Sequence, residues 1–106
     1  MPVDKLLIYC TCPDQESADR IAGQLVEQRL AACVSITAPI KSIYVWQDKL
    51  EKSEEYLLLI KSTQARYADL QQTIISLHPY ELPEIIAVPV QQGLPAYLHW
   101  IDVCTQ

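Results

Sequence analysis

The first third of the chain changes from a strand pattern to a helix pattern. Residues 6–12 are rich in strand-forming side chains and stop at Pro13. Asp14 then stands at a predicted helix N-cap, and Glu16 falls in the first turn, where the helix dipole favours a negative charge. Six apolar residues follow at spacings of three and four, which predicts one buried helix face: Ala18, Ile21, Ala22, Leu25, Val26 and Leu30.

The middle of the chain predicts a long β-hairpin. Residues 32–36 read as a strand that resumes at 40–46, and Pro39 between them favours a bulge or an edge position. Residues 54–60 predict the next strand. The polar segment Gln47-Asp48-Lys49-Leu50 predicts the turn between them, and its type stays open because it lacks an Asn-Gly pair.

The last third predicts a helix, a strand and a short terminal helix. Ser62 or Thr63 can cap the second helix, whose apolar stripe is Tyr67, Leu70, Ile74 and Leu77. The helix is expected to end at His78, because a residue before proline avoids the helical region. Residues 85–90 predict the last strand, with Pro89 favouring a sheet edge. Pro95 can begin a short helix.

This order of elements predicts an α+β fold of the ferredoxin-like βαββαβ type. The sheet is antiparallel, and the crossover connections place the first strand in its middle, beside the last. With 106 residues, half of them hydrophobic, the whole chain 1–106 is expected to form a single domain with its own core.

The predicted strands are apolar on both faces, which two helices cannot cover. In the first strand Leu6 and Ile8 point to one face, and Leu7 and Tyr9 to the other. A large exposed apolar face is rare in monomers, so we predict a homo-oligomer that buries it. The expected interface anchors are the hairpin aromatics Tyr44, Trp46 and Tyr56. Alternatively, these aromatics pack on the helices of their own subunit.

Charge and targeting signals exclude several classes of protein. The net charge is -5 and no basic run occurs, which argues against nucleic-acid binding. No apolar run reaches the ~20 residues that span a bilayer, and the start does not read as a signal peptide. We therefore expect a cytoplasmic protein without membrane contact. Its cysteines are expected to be free thiols: Cys10, Cys12, Cys33 and Cys104.

The candidate chemistry lies at one end of the predicted domain. Cys10 and Cys12 end the first strand there, His78 ends the second helix, and the hairpin tip reaches the same end. Thiolates favour copper(I) or zinc, and a neutral imidazole is a common metal ligand. Residues two apart on a strand lie roughly 6.8 Å apart, so we expect the two sulfurs not to share one metal unless Pro13 bends the chain.

Each of these residues also has a simpler interpretation. Cys10 can be a small buried hydrophobe, and His78 a helix C-terminal cap. A thiol enzyme with Cys10 as nucleophile and His78 as base is the weakest hypothesis, because the sequence shows no third orienting group. Glu81 and Glu84 are read as solvated loop charges rather than ligands.

Several segments together resemble a known family. They are 9–14 (YCTCPD), 29–34 (RLAACV), 42–46 (SIYVW), 59–63 (LIKST), 78–85 (HPYELPEI) and 97–101 (YLHWI). The chain resembles the CutA family of divalent-cation tolerance proteins over nearly its whole length. The resemblance implies a ferredoxin-like homotrimer in a bacterial cytoplasm. It also implies a non-enzymatic role in metal tolerance, with binding of copper or another divalent cation.

The resemblance also implies a metal site and an alternative function. The copper-binding pattern of the family uses a cysteine at the end of the first strand and two histidines before Pro-Tyr. Cys10 matches the cysteine and His78 the second histidine, whereas Leu77 stands in place of the first. Cys12 lies outside that pattern and can compensate. The trimer also resembles PII-type signalling proteins, so small-molecule or protein binding between subunits is the alternative.

Overall fold

The structure, a computed structural model, describes residues 4–106, which form five strands and three helices. In chain order they are β1 (Lys5–Cys12), α1 (Gln15–Glu27), β2 (Cys33–Ile36), β3 (Ile40–Trp46), β4 (Lys49–Thr63), α2 (Gln64–Leu77), β5 (Ile85–Pro89) and α3 (Pro95–Cys104). The predicted ferredoxin-like α+β class is confirmed. Within these residues, no helix has both the length and the apolar character needed to cross a membrane.

The sheet has the strand order β2-β4-β1-β5, and all its pairs are antiparallel. As predicted, β1 lies in the middle, between β4 and β5. Its register with β4 runs from Lys5 opposite Thr63 to Cys12 opposite Tyr56. Pro89 ends β5 at the edge of the sheet, where the missing N–H of proline leaves no partner strand unsatisfied.

The hairpin differs from the prediction at its turn. Only Gln47 and Asp48 form it, with φ of 51° and 66°, and Lys49 already pairs with Trp46. Two positive φ values match the type I′ turn of tight hairpins. The prediction that Lys49 and Leu50 belong to the turn was wrong. Residues 49 and 50 were assigned to the turn and residues 51–53 to no strand, because this part of the hairpin is largely solvent-exposed and polar and so lacks apolar alternation.

Helix ends follow the local sequence closely. The Asp14 carboxylate accepts a hydrogen bond from the amide of Ser17 at 2.7 Å, as an N-cap should. That amide, with the Ser17 side chain, lowers the pKa of Asp14. Thr63 occupies the N-cap position of α2 but makes no side-chain capping bond there. His78 is the C-cap of α2, and its N–H donates to the carbonyl of Ile74 at 2.8 Å.

The core lies between one sheet face and the helices α1 and α2. It contains alternate residues of the two central strands and the apolar stripes of both helices: Leu6, Ile8, Cys10, Cys12, Ile21, Leu25, Leu58, Ile60, Leu70 and Ile74. The opposite sheet face stays open. Tyr9, Ile86 and Val88 on that face are 36%, 52% and 40% exposed. The structure therefore has the uncovered apolar face that the strand pattern predicts.

Candidate metal centre

Three potential metal donors meet where β1 and α2 end. The Sγ atoms of Cys10 and Cys12 and a ring nitrogen of His78 all lie within 4.8 Å of one another. Both cysteines are fully buried, and His78 is 9% exposed. Across residues 4–106 this is the one group of three or more His, Cys, Asp or Glu side chains close enough to share an ion.

The fold brings these residues together from distant parts of the sequence. Cys10 and Cys12 lie two positions apart on β1, so both face the helices. Helix α2 follows β4 and packs over the sheet face to which both cysteines point. His78, at the C-terminal end of α2, therefore lies beside the end of β1. We expected the two sulfurs to share a metal only if Pro13 bends the chain, and the large separation behind that expectation was wrong. It used the spacing of the backbone along the strand, whereas the two Sγ atoms lie closer than that spacing.

Two hydrogen bonds fix the imidazole of His78. Nδ1 accepts from the backbone N–H of Tyr80 at 3.1 Å, so it carries no proton. The proton is then on Nε2, which donates to the carbonyl of Thr11 at 2.7 Å. Thr11 is the residue between the two cysteines. The histidine therefore ties the loop after α2 to the end of β1, and both of its ring nitrogens are engaged.

The two thiols differ in acidity because they interact. The neighbouring Cys10 thiol lowers the pKa of Cys12 to about 6, and His78 adds to this effect, although burial opposes it. The same contact with Cys12 raises the pKa of Cys10, and burial raises it further. The pair therefore loses its first proton more easily than an isolated cysteine, and its second with more difficulty.

The environment acts on His78 in opposite directions. Burial lowers its pKa, but the neighbouring Cys12 thiol and the hydrogen bond to the Thr11 carbonyl together raise it by more. The contact with Tyr80 opposes a second ring proton, because a protonated Nδ1 would face the N–H of Tyr80 directly. The two contacts thus favour the tautomer that carries its proton on Nε2.

An acidic cleft adjoins the cluster, between the hairpin and the loop after α2. Its volume is about 700 Å³, and it is lined by Thr11, Ser42, Ile43, Tyr44, Trp46, Glu55, Pro79, Tyr80, Glu81, Leu82 and Glu84. Three of the described lining residues are carboxylates and none is basic. Thr11 and Tyr80, which hold His78, are part of this wall. The carboxylates therefore give the cleft a negative potential that attracts cations.

A buried carboxylate at the cleft was not predicted. Glu55 is 4% exposed, and the hydroxyl of Tyr80 donates to its Oε2 at 2.8 Å. Burial raises the pKa of Tyr80, and the interaction with Glu55 raises it further. The sequence carries no local signal for this pair, because Glu55 stands in a polar stretch and its partner is 25 residues away.

The other candidate residues from the sequence lie outside the cluster. Leu77, in place of a family histidine, packs against the core and presents no donor side chain. Glu81 and Glu84 are exposed and line the cleft rather than the cluster. Cys33 and Cys104 are free, half-buried thiols outside the cluster.

Comparison with known proteins identifies relatives along nearly the whole chain. The family described as CutA1 divalent ion tolerance protein matches residues 6–104. Protein CutA of Mus musculus is 45% identical over 98 residues, which are 92% of this chain and 55% of the mouse protein. This chain thus spans little more than half of such animal relatives. The divalent-cation tolerance protein CutA of Thermus thermophilus is 43% identical over 95 residues, 90% of this chain and 92% of that protein.

Solved structures agree with the sequence relatives. The divalent cation tolerance protein from Thermus thermophilus superposes with a TM-score of 0.94 at 41% identity, covering 96% of this chain and 99% of that one. CutA from Xylella fastidiosa gives a TM-score of 0.95 at 46% identity, with 97% and 99% covered. The family match, the relatives and the shared architecture show that the chain belongs to the CutA family of divalent-cation tolerance proteins.

Proposed function

We propose that this chain is a non-enzymatic metal-binding protein that takes part in the response to metal ions. The observation that carries the proposal is the buried cluster of Cys10, Cys12 and His78, with all donor atoms within 4.8 Å. Thiolate and imidazole donors suit copper and zinc. The names of its relatives, which describe divalent-cation tolerance, support the relevance of metals.

The proposed ligands for a divalent ion are Cys10 and His78, with Cys12 as a third donor. Cys12 then supplies the donor that Leu77 lacks. His78 must give up its hydrogen bond to Thr11 or to Tyr80 before it can bind, because each ring nitrogen already has a partner. The carboxylates of the adjoining cleft raise the local concentration of cations at the entrance.

Metal titration tests this proposal. Cu²⁺ and Zn²⁺ are titrated into the wild type and into Cys10→Ser, His78→Ala and Cys33→Ser. Cys33→Ser is the matched control, because Cys33 is a free thiol outside the cluster. The expected result is binding in the wild type and control that weakens in both cluster variants. Binding no tighter than millimolar, or equal binding by all four proteins, would refute the proposal.

The proposed assembly is a homotrimer, supported by the open apolar sheet face. Tyr44 and Trp46 are each 40% exposed on the hairpin and remain the proposed anchors. Tyr56 packs against the core of its own subunit, as the alternative interpretation had it. Sedimentation of the wild type, of Ile86→Glu on the open face and of Val26→Glu on α1 tests the assembly. The trimer should dissociate in Ile86→Glu alone, and a monomeric wild type would contradict the proposal.

A second candidate function is signalling or scaffolding in the manner of PII-type proteins. The observation in its favour is the 700 Å³ cleft, whose aromatic and acidic walls suit a small molecule. On this alternative, metal binding at the cluster is incidental. A small-molecule panel screened by thermal shift would then give ligands whose binding is weakened by Trp46→Ala and unchanged by Cys10→Ser.

A thiol enzyme is less well supported. Cys10, the expected nucleophile, is fully buried and its pKa is raised. The rate of alkylation of Cys10 against pH tests this reading, since a reactive Cys10 with a low pKa would favour an enzyme. We also propose a cytoplasmic location, which the four free thiols support and cell fractionation would test.

A further inference from the structure

We propose that Cys10 and Cys12 form a two-coordinate site for a monovalent thiophilic ion, Cu⁺ or Ag⁺. In this site His78 is a positioning residue and not a ligand. The inference rests on the proposed metal-binding function and specifies the class of ion that the described arrangement accepts most readily.

The first argument is the distance between the two sulfur atoms. The Sγ atoms of Cys10 and Cys12 lie no more than 4.8 Å apart. Two metal–sulfur bonds of about 2.3 Å on opposite sides of an ion span roughly 4.6 Å. Both sulfurs can therefore reach one ion, and a separation below this upper limit bends the sulfur–metal–sulfur angle. Soft thiolate ligands select Cu⁺ among the copper ions.

The second argument is the number of free donors. Nδ1 of His78 accepts from Tyr80, and Nε2 donates to Thr11, so neither nitrogen can bind an ion without breaking a hydrogen bond. Among the described residues, no further His, Cys, Asp or Glu joins the cluster. Zinc takes four ligands, and two free sulfurs fall short of that number. A two-coordinate monovalent ion needs no more than the two sulfurs.

The third argument is burial. Both cysteines have no exposed surface and belong to the hydrophobic core with Ile8 and Leu58. Water therefore has little room to fill the empty positions around a divalent ion. A dry apolar shell also shields the bound ion from solvent, which is one way proteins control a metal site.

His78 has a clear role without being a ligand. Its Nε2 donates to the carbonyl of Thr11, the residue between the two cysteines. The amide of Tyr80 holds the ring from the other side. His78 thus fixes the backbone that sets the distance between the sulfurs. Its substitution should weaken the site by less than loss of a sulfur does.

The test uses the full chain without oxygen. Ag⁺, chelator-buffered Cu⁺ and Zn²⁺ are titrated into the wild type, Cys12→Ala, His78→Gln and the control Cys33→Ala. One monovalent ion should bind per chain, and more tightly than Zn²⁺. Cys12→Ala should lose at least about 100-fold in affinity, and His78→Gln, which keeps a polar side chain, about tenfold, as expected of a residue that orients a ligand. X-ray absorption of the Cu⁺ form should show a sulfur-only shell in the wild type and in His78→Gln.

The outcomes separate this inference from the proposed function. A nitrogen ligand in the wild type that disappears in His78→Gln would overturn the inference, as would equal Ag⁺ affinity in Cys12→Ala and Cys33→Ala. Zn²⁺ binding that is tighter than Cu⁺ binding and requires His78 would overturn it and leave the proposed function standing. Absence of any metal binding would overturn both. Near-UV circular dichroism of the metal-free variants checks folding, and Cys12→Ser replaces Cys12→Ala if that variant is unfolded.

Discussion

The hydrogen bond between Tyr80 and Glu55, which lies in the wall of the cleft, should increase the free energy of unfolding. Tyr80→Phe removes the hydroxyl that donates to Glu55 Oε2 at 2.8 Å and leaves the ring in place. Glu55 is 4% exposed, so water replaces the lost donor poorly. Hydrogen bonds to charged groups contribute about 1.5–3 kcal/mol. Because Tyr80 itself is partly exposed, we expect the lower end, about 1.5 kcal/mol.

A double-mutant cycle measures this magnitude. The free energy of unfolding in guanidinium chloride is determined for the wild type, Tyr80→Phe, Glu55→Gln and the double variant. Protein concentration is held fixed, because the stability of an oligomer depends on it. Tyr44→Phe is the matched control. Its hydroxyl contacts Ser53 Oγ at 3.1 Å on the exposed hairpin, so its loss should change the free energy by less than about 0.5 kcal/mol.

The contribution of Tyr80 should depend on pH in one direction. Burial and Glu55 raise the pKa of Tyr80 above its unfolded value of about 10. The folded state thus favours the protonated phenol. The stabilisation is fully present below about pH 10 and is lost as pH rises through the folded-state pKa. The difference between the wild type and Tyr80→Phe should therefore be constant from neutral to mildly alkaline pH and shrink above about pH 10.

Two results would refute this reasoning. Equal effects of Tyr80→Phe and Tyr44→Phe at neutral pH would show that the buried carboxylate gives Tyr80 no special contribution. A coupling energy near zero in the cycle would show that the two side chains act independently despite their contact.

Three further predictions concern stability, each measured by chemical unfolding at fixed protein concentration. Gly23→Ala should stabilise by about 0.5–1 kcal/mol, because Gly23 lies within α1 and a Cβ there meets no atom within 4 Å; a loss would contradict this. Asp48→Gly should stabilise by about 1 kcal/mol by relieving a positive φ, and Asp48→Ala should not. Ser62→Ala should cost about 1–2 kcal/mol, because the buried Ser62 hydroxyl donates to the Leu30 carbonyl; an unchanged stability would argue against that bond.

The sequence by itself determined the structural features that depend only on neighbouring residues. The N-cap at Asp14 and the helix end before Pro79 depend on neighbouring residues and were predicted correctly. The apolar face of α1 was predicted only in part, because Val26 is 43% exposed and Leu30 lies beyond the end of the helix. Pro89 predicted an edge strand for the same reason, since its missing N–H restricts pairing wherever it stands. The order of these elements then limited the fold to the ferredoxin-like topology, and the strand pattern indicated an open apolar face.

The tertiary structure determined the features that depend on residues far apart in the sequence. Residues 49–53 carry no strand pattern and become part of β4 because β3 pairs with them. The backbone spacing of a strand predicted that the sulfurs of Cys10 and Cys12 lie far apart. In the folded protein both sulfurs lie beside His78. Of the two hydrogen bonds to the ring of His78, the one with Tyr80 is local, whereas the one with Thr11 joins residues 67 positions apart. The Thr11 contact forms only when α2 packs over the end of β1, so no local pattern encodes it.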